Sequence, residues 1–325
     1  MTASAHPRES TAPSTLPLDS TAELLTRITA QLGAQLSHVQ LNGVRRPMSP
    51  PAMNTASDPS SYGVRGFAAR ASVPAPALVA VAHGSRDPRA VHTVTRLLDR
   101  VRELRPGLDV RLGHIELEEP LLPDALAGLS VPAGRGEREA VLVPLLLGRG
   151  YHVKRDIPGA VADVPGLRAA IAPPLGPHPL LVEALYGRLA EAGWRADDDG
   201  SRAAGVVLAA AGSRDPESAA DARRAAAMLS ERLGGVPVVP AYASAVSPSV
   251  PEAVRALSAR GRHRIAVASY FTAPGRFASA AAAAAPWLAA APLGAHPALA
   301  RLVLQRYDET VPALGTAVRR RLVTA

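Results

Sequence analysis

Leu78-Val79-Ala80-Val81-Ala82 runs directly into His83-Gly84-Ser85-Arg86-Asp87-Pro88, and the pattern returns as Val206-Val207-Leu208-Ala209-Ala210 followed by Ala211-Gly212-Ser213-Arg214-Asp215-Pro216. A short unbroken apolar run closed by a glycine turn, with Asp-Pro behind it, reads as a strand buried on both faces that feeds a helix. The offset of 128 between the copies carries His83 to Ala211, Glu116 to Ser244 and Pro120 to Pro248. Further on, Gly148-Arg149-Gly150-Tyr151-His152 answers to Thr272-Ala273-Pro274-Gly275-Arg276, and Pro174-Leu175-Gly176-Pro177-His178-Pro179 to Pro292-Leu293-Gly294-Ala295-His296-Pro297. The framework is duplicated, whereas the His/Glu/His set occurs in the first copy alone.

Outward from these turns, short apolar runs alternate with helical periodicity. Strands are expected over 77–82, 108–115, 139–146 and 167–172, then over 204–210, 236–242, 263–270 and weakly near 290. Helices are expected over 89–104, 121–129, 157–164, 178–192, 217–233, 249–260, 276–289 and 296–310. Continuous apolar strands separated by helices indicate parallel sheets covered on both faces. The expected fold is therefore α/β, with two similar doubly wound lobes and an active-site cleft between them. One lobe spans 77–196 and carries the reactive residues. The duplicate spans 203–311, behind the polar linker Asp197-Asp198-Asp199-Gly200-Ser201. Residues 1–76 are rich in Pro, Ser and Thr, a composition expected to be flexible. One amphipathic helix is expected among them at 21–36 (Leu24, Leu25, Ile28, Leu32, Leu36), with Asp19 or Ser20 as its cap. Residues 312–325 are expected to form a C-terminal tail.

The composition narrows the chemistry. At 325 residues there is room for two cores, and aromatics at only 3% leave Ala, Val and Leu to fill them. With no cysteine, disulfides, thiolate metal sites and cysteine nucleophiles are all excluded. The net charge of +8 favours an anionic partner. Nucleic acid is not the expected one, because no basic run is interleaved with stacking aromatics and no zinc-finger or basic-zipper pattern is present. The alanine run 280–285 is too short and too weakly apolar to span a bilayer, and the N-terminus lacks the apolar segment of a secretory signal, so a cytoplasmic protein with no membrane partner is expected. Both lobes lie in one chain, so a monomer is expected.

In doubly wound sheets ligands bind beyond the carboxyl ends of the strands. His83 follows the first strand, Glu116 the second, and His152 lies in the loop after the third. Two imidazoles and one carboxylate suit a divalent iron, cobalt, nickel or zinc ion, with positions left open for water or substrate. The same groups can release a metal and accept protons, which thiolates would do less readily.

These residues lead to a family. The chain resembles the sirohydrochlorin chelatases, class II enzymes that insert a divalent metal into a tetrapyrrole without ATP. The resemblance spans roughly residues 77–310 and rests on Ala82-His83-Gly84-Ser85-Arg86, on His114-Ile115-Glu116-Leu117-Glu118-Glu119-Pro120, and on the run from Val143 through Gly148-Arg149-Gly150-Tyr151-His152-Val153-Lys154-Arg155-Asp156 to Pro158. It implies that His83, Glu116 and His152 are the metal-facing and catalytic residues. Glu118 and Glu119 are rivals of Glu116, which alone occupies the column of Ser244. It also implies that Asp156 orients the loop that carries the second histidine rather than binding metal, and that the metal is a co-substrate, Fe²⁺ for sirohaem or Co²⁺ for cobalamin. No nucleotide is implied, and no Walker-type loop is present. The implied partner, sirohydrochlorin, carries many carboxylates. Ser85, Arg86, Arg149, Lys154, Arg155 and Arg276 are candidates to bind it, with helix capping as the alternative for Ser85 and Arg86, which persist as Ser213 and Arg214. His178 and His296 occur in both copies before proline at a helix start, and a structural role is expected of them. The rival readings are a non-catalytic metal or tetrapyrrole carrier and a phosphate-handling hydrolase using His83.

Overall fold

In the computed structural model of the chain, the strand β1, Ala77–Ala82, is buried at every position. The structure describes residues 75–129, 138–198 and 200–323. The helix expected at 21–36 and the flexible character expected of 1–76 fall outside the described residues, apart from residues 75 and 76. All the described residues belong to one unit, Ala71–Ala325.

β1 lies inside a four-stranded parallel sheet, with β2 (Val110–His114) on one side and β3 (Arg138–Pro144) then β4 (Leu167–Ile171) on the other. The second sheet repeats this order: β5 (Ala204–Ala210) is flanked by β6 (Val238–Tyr242) and by β7 (Arg264–Ser269) then β8 (Leu288–Ala289). The first lobe carries α1 (Pro88–Leu104), α2 (Leu122–Ala127), α3 (Ile157–Ala162) and α4 (Pro179–Glu191). The second carries α5 (Pro216–Arg232), α6 (Val250–Ser258), α7 (Arg276–Ala283) and α8 (Pro297–Val323). This is the α/β architecture of two similar lobes.

Alternation along the strands sorts side chains into three cores. Ala77, Val79 and Val81 point outward to Leu122, Leu126 and Ile157 of α2 and α3. Val207 and Ala209 do the same against Val250, Leu257 and Ala281 of α6 and α7. The opposite faces, Leu78, Ala80 and Ala82 together with Val206, Leu208 and Ala210, share one continuous core with α1, α4, α5 and α8. The lobes are thus joined through a common apolar layer, and α8 packs against α1, α4, β3 and β4 of the first lobe. Each fully buried Leu or Val in that layer contributes roughly 1.5–3 kcal/mol.

Strand ends and most helix ends lie within two residues of expectation. The helix expected over 276–289 stops at Ala283, because Pro286 cannot continue it and Leu288 is drawn into the sheet beside Ala266. The helix expected to end at 310 runs to Val323 with Pro312 inside it, through the segment expected as a tail. Leu314 is buried in the common core, and the Arg168 guanidinium donates to its carbonyl, which ties the extension down. Among the described residues no helix is long and apolar enough to cross a membrane.

Candidate metal-handling site

The chain passes from β1 to β2 on one side and then to β3 on the other, so the loops after β1 and β3 diverge around a crevice at the carboxyl edge of the sheet. Register sets the three strand ends level: Ala82 pairs with His114, and Val81 with Pro144.

Gly84 shapes the first loop. Its φ is +98°, and a Cβ there would lie 1.7 Å from the Glu116 carbonyl oxygen, so glycine is required. The Glu116 N–H donates to the His83 carbonyl at 3.0 Å. The backbone therefore sets His83 beside Glu116, with Nδ1 of the ring 3.6 Å from Oε1 of the carboxylate. The neighbouring loop is shaped by His114, which is 2% exposed and lies within 3.3 Å of the Pro120 carbonyl through its Nδ1. His114 lines the same crevice, and sequence reading did not single it out. Its column partner Tyr242 is the only hint, one buried polar ring exchanged for another.

His152 does not lie in an open loop as expected. It opens a π-helical turn, His152–Asp156, in which the Ile157 N–H reaches back to the His152 carbonyl. Turns of this kind recur at functional sites. Here the turn sets the His152 and Asp156 side chains together, and His152 Nδ1–H donates to Asp156 Oδ2 at 2.6 Å. The His152 ring stands 4.8 Å from that of His83, centre to centre, at 84°. His83, Glu116 and His152, predicted from three separate stretches, are therefore neighbours. Among the described residues no group of three or more His, Asp or Glu side chains is drawn together closely enough to hold a metal ion by itself; His83 stands between the other two, near Glu116 on one side and His152 on the other.

The crevice is a cavity of about 990 Å³ between the lobes. Ala211, Ser244 and Arg276 occupy the second lobe's side of it, in the columns of His83, Glu116 and His152. Arg86 and Arg276 line the cavity, and neither has an ion-pair partner among the described residues. Tyr151, 67% exposed, and Leu117, 49% exposed, set apolar surface beside the imidazole and carboxylate groups.

The other candidates for the substrate edge stand differently. Ser85 lines the cavity, but its Oγ accepts the Asp87 N–H, as Ser213 Oγ accepts the Asp215 N–H, which makes it a turn-capping residue in both lobes. Arg149 also lines the cavity, but its guanidinium is engaged by Asp221 (2.7 Å) and Glu217 (2.9 Å). Lys154 is outside the lining and pairs with Asp215 and Glu217, both at 2.6 Å. Arg155 is exposed and outside the lining. Charge alone marked these cations in the sequence, and acids more than sixty residues away claim two of them. Hydrogen bonding to Asp215 holds Lys154 above its ordinary range and in return holds the Asp215 carboxyl below its own. Burial pushes Asp221 up, but the bonds from Arg149 outweigh it, and the carboxyl sits below the ordinary range.

His178 and His296 take the structural part expected of them. Each precedes a helix and accepts a backbone N–H through Nδ1 at 3.2 Å, from Leu180 and Ala298 respectively. Burial holds both rings below the ordinary histidine range, with Arg306 and Arg188 adding to it.

Two parallel sheets facing a shared cleft, with paired imidazoles and a carboxylate on one wall, define a protein of chelatase-like α/β fold. The CbiX family model matches residues 77–192 and again 205–310, and the chain belongs to that family. A sirohydrochlorin cobaltochelatase of Methanosarcina acetivorans is 31% identical over 129 residues, which is 35% of this chain and 95% of the relative. A sirohydrochlorin ferrochelatase of Bacillus subtilis is 28% identical over 180 residues, 54% of this chain and 66% of the relative. Among solved structures, SirB from Bacillus subtilis with Fe3+ aligns with a TM-score of 0.59 at 24% identity, covering 72% of this chain and 95% of that one.

Proposed function

We propose that the chain is a sirohydrochlorin chelatase that inserts Fe²⁺ or Co²⁺ into the ring without ATP, with His83, Glu116 and His152 presenting the metal and receiving the displaced protons. The observation that carries this reading is the meeting of two imidazoles, 4.8 Å apart, and a carboxylate 3.6 Å from one of them on a single wall of the cleft. Family membership and the names of the relatives support the substrate. The donor set suits both metals, which are neighbours in the divalent affinity order.

In the reaction M²⁺ replaces two pyrrole N–H protons, so two protons must leave. The bond to Asp156 puts the His152 proton on Nδ1 and leaves the other ring nitrogen with its lone pair available for metal or proton. Glu116, at an ion-pair distance of 3.6 Å from His83, offers a carboxylate that can receive a proton itself. Arg86 and Arg276, on the two lobes, are placed to receive ring carboxylates across the cavity. One chain supplies every one of these groups, in keeping with a monomer.

The test is multiple turnover with sirohydrochlorin and metal in excess, followed by ring absorption in the absence of ATP. Many turnovers per chain are expected. Uptake that stops at one equivalent would make the protein a carrier and overturn the proposal.

A further inference from the structure

The second lobe has lost the donors, yet it carries two acids, Glu217 and Asp221, that the first lobe lacks. Asp215, Glu217 and Asp221 on its first helix correspond, at the offset of 128, to Asp87, Arg89 and Thr93. In the first lobe Asp87 is taken by its own neighbour Arg89. Conversely, Arg149 and Lys154, on either side of His152, correspond to Ala273 and Ala278 at the offset of 124. The charges are thus complementary between lobes and absent from the mirror-related contact.

The acids meet the bases across the cleft. Asp221, 4% exposed, accepts the backbone N–H of Arg149 at 3.0 Å and its Nε and Nη2 at 3.1 and 2.7 Å. Glu217 takes Arg149 Nη1 and Lys154 Nζ, and Asp215 takes Lys154 Nζ while capping its own helix. A bidentate pair that also binds the backbone fixes a peptide and not merely a side chain. The peptide so fixed leads, three residues on, into the turn that carries His152.

We infer that Asp221, with Glu217 beside it, is a positioning residue: the donor-free lobe sets the height of the His152 turn over His83 and so tunes metal uptake. This rests on His152 being a metal-facing residue, the reading given above. Asp221 touches no reacting atom and acts through Arg149.

The test uses the full chain and Co²⁺ alone, titrated by its visible d–d absorption, with the melting temperature measured on each variant. Asp198 provides a matched control, since it is 2% exposed, pairs with Arg264 and lies outside the cleft. Asp221→Asn is expected to weaken Co²⁺ binding about tenfold, the scale of losing a supporting partner at a metal site, and to alter the absorption bands. Asp198→Asn should lower the melting temperature comparably and leave Co²⁺ affinity within about twofold. Equal Co²⁺ affinity in Asp221→Asn and wild type overturns the inference. If Asp221→Asn does not fold, the partly exposed Glu217→Gln decides. Binding weaker by about threefold, the scale of an exposed ion pair, supports the inference, and unchanged binding overturns it. Wild type that takes up no Co²⁺ would overturn the metal-site reading first, and this inference with it.

Discussion

The turn after β1 and the turn after β5 are built from the same bonds. Gly84 and Gly212 both have positive φ, +98° and +89°, with the carbonyl of Glu116 or of Ser244 packed where a Cβ would stand. Leu117 and Ala245 both adopt left-handed φ, 71° and 67°. The Glu116 N–H bonds to His83, and the Ser244 N–H to Ala211, at 3.0 Å in each lobe. Asp87 and Asp215 each cap the helix that follows. Against this shared backbone, His83 faces Ala211 and Glu116 faces Ser244. The turn evidently forms without imidazole or carboxylate, so stability does not account for their presence in the first lobe. What distinguishes the lobes is chemistry laid on a common frame, together with the ion pairs through which the donor-free lobe grips the other.

The sharpest way to break this comparison is to make the first lobe resemble the second. His83→Ala or His152→Ala is expected to reduce metal insertion by about 10²–10⁴-fold, the range for losing a direct acid–base group. The melting temperature should stay close to wild type, since the second lobe folds with Ala211 and Arg276 in those columns. Turnover assays beside calorimetry check both halves of this expectation. Substantial activity in His83→Ala would remove the first lobe's claim to the chemistry.

Removing the partner behind His152 should have a smaller effect. Asp156→Asn is expected to lower metal affinity or turnover by about 10- to 100-fold, read as an altered apparent KM for metal. Its column in the second lobe, Ala280, has no carboxylate to lose.

The matched glycines separate folding from function. Gly84→Ala and Gly212→Ala should each cost about 2–3 kcal/mol, because each forces an L-residue into positive φ against a carbonyl. Chemical denaturation would measure this. Of the two, Gly84→Ala alone is expected to cut Co²⁺ uptake, because the carbonyl it displaces belongs to Glu116. Equal loss of uptake in both variants would erase the distinction between lobes.

The smallest effect concerns the feature the lobes share. His178 and His296 cap helices only as neutral rings, and both have folded pKa values below the ordinary 6.5. A lowered folded value means the unfolded chain takes up protons first as pH falls. The stability these caps contribute is therefore complete above about 6.5 and is lost in the window beneath it. Lowering the pH from 7.5 to 5 is expected to reduce the melting temperature through these groups. The His178→Asn/His296→Asn variant, which keeps an uncharged acceptor at each cap, should flatten that part of the curve.

Much of this was legible in the chain because strands buried on both faces leave continuous apolar runs. β1 and β5 stand out for that reason, and their repetition exposed the missing donors at once. β8 was less legible, being two residues long and sitting behind alanines that read equally well as helix. The π-helical turn at His152 was not legible, since nothing in His-Val-Lys-Arg-Asp distinguishes it from an ordinary helical start. The engagement of Arg149 and Lys154 was hidden as well. Their acids lie on an amphipathic helix where carboxylates draw no notice, and only the exchange of Glu217 and Asp221 against Arg89 and Thr93 could have drawn attention to them.

The last helix belongs by descent to the second copy but lies on the first, and the inner faces of both sheets dissolve into one apolar layer. Duplication here produced not two beads on a string but a single folding unit with a seam. Cutting the backbone at that seam should leave two fragments that seek each other out, so that a tag on either half retrieves its complement.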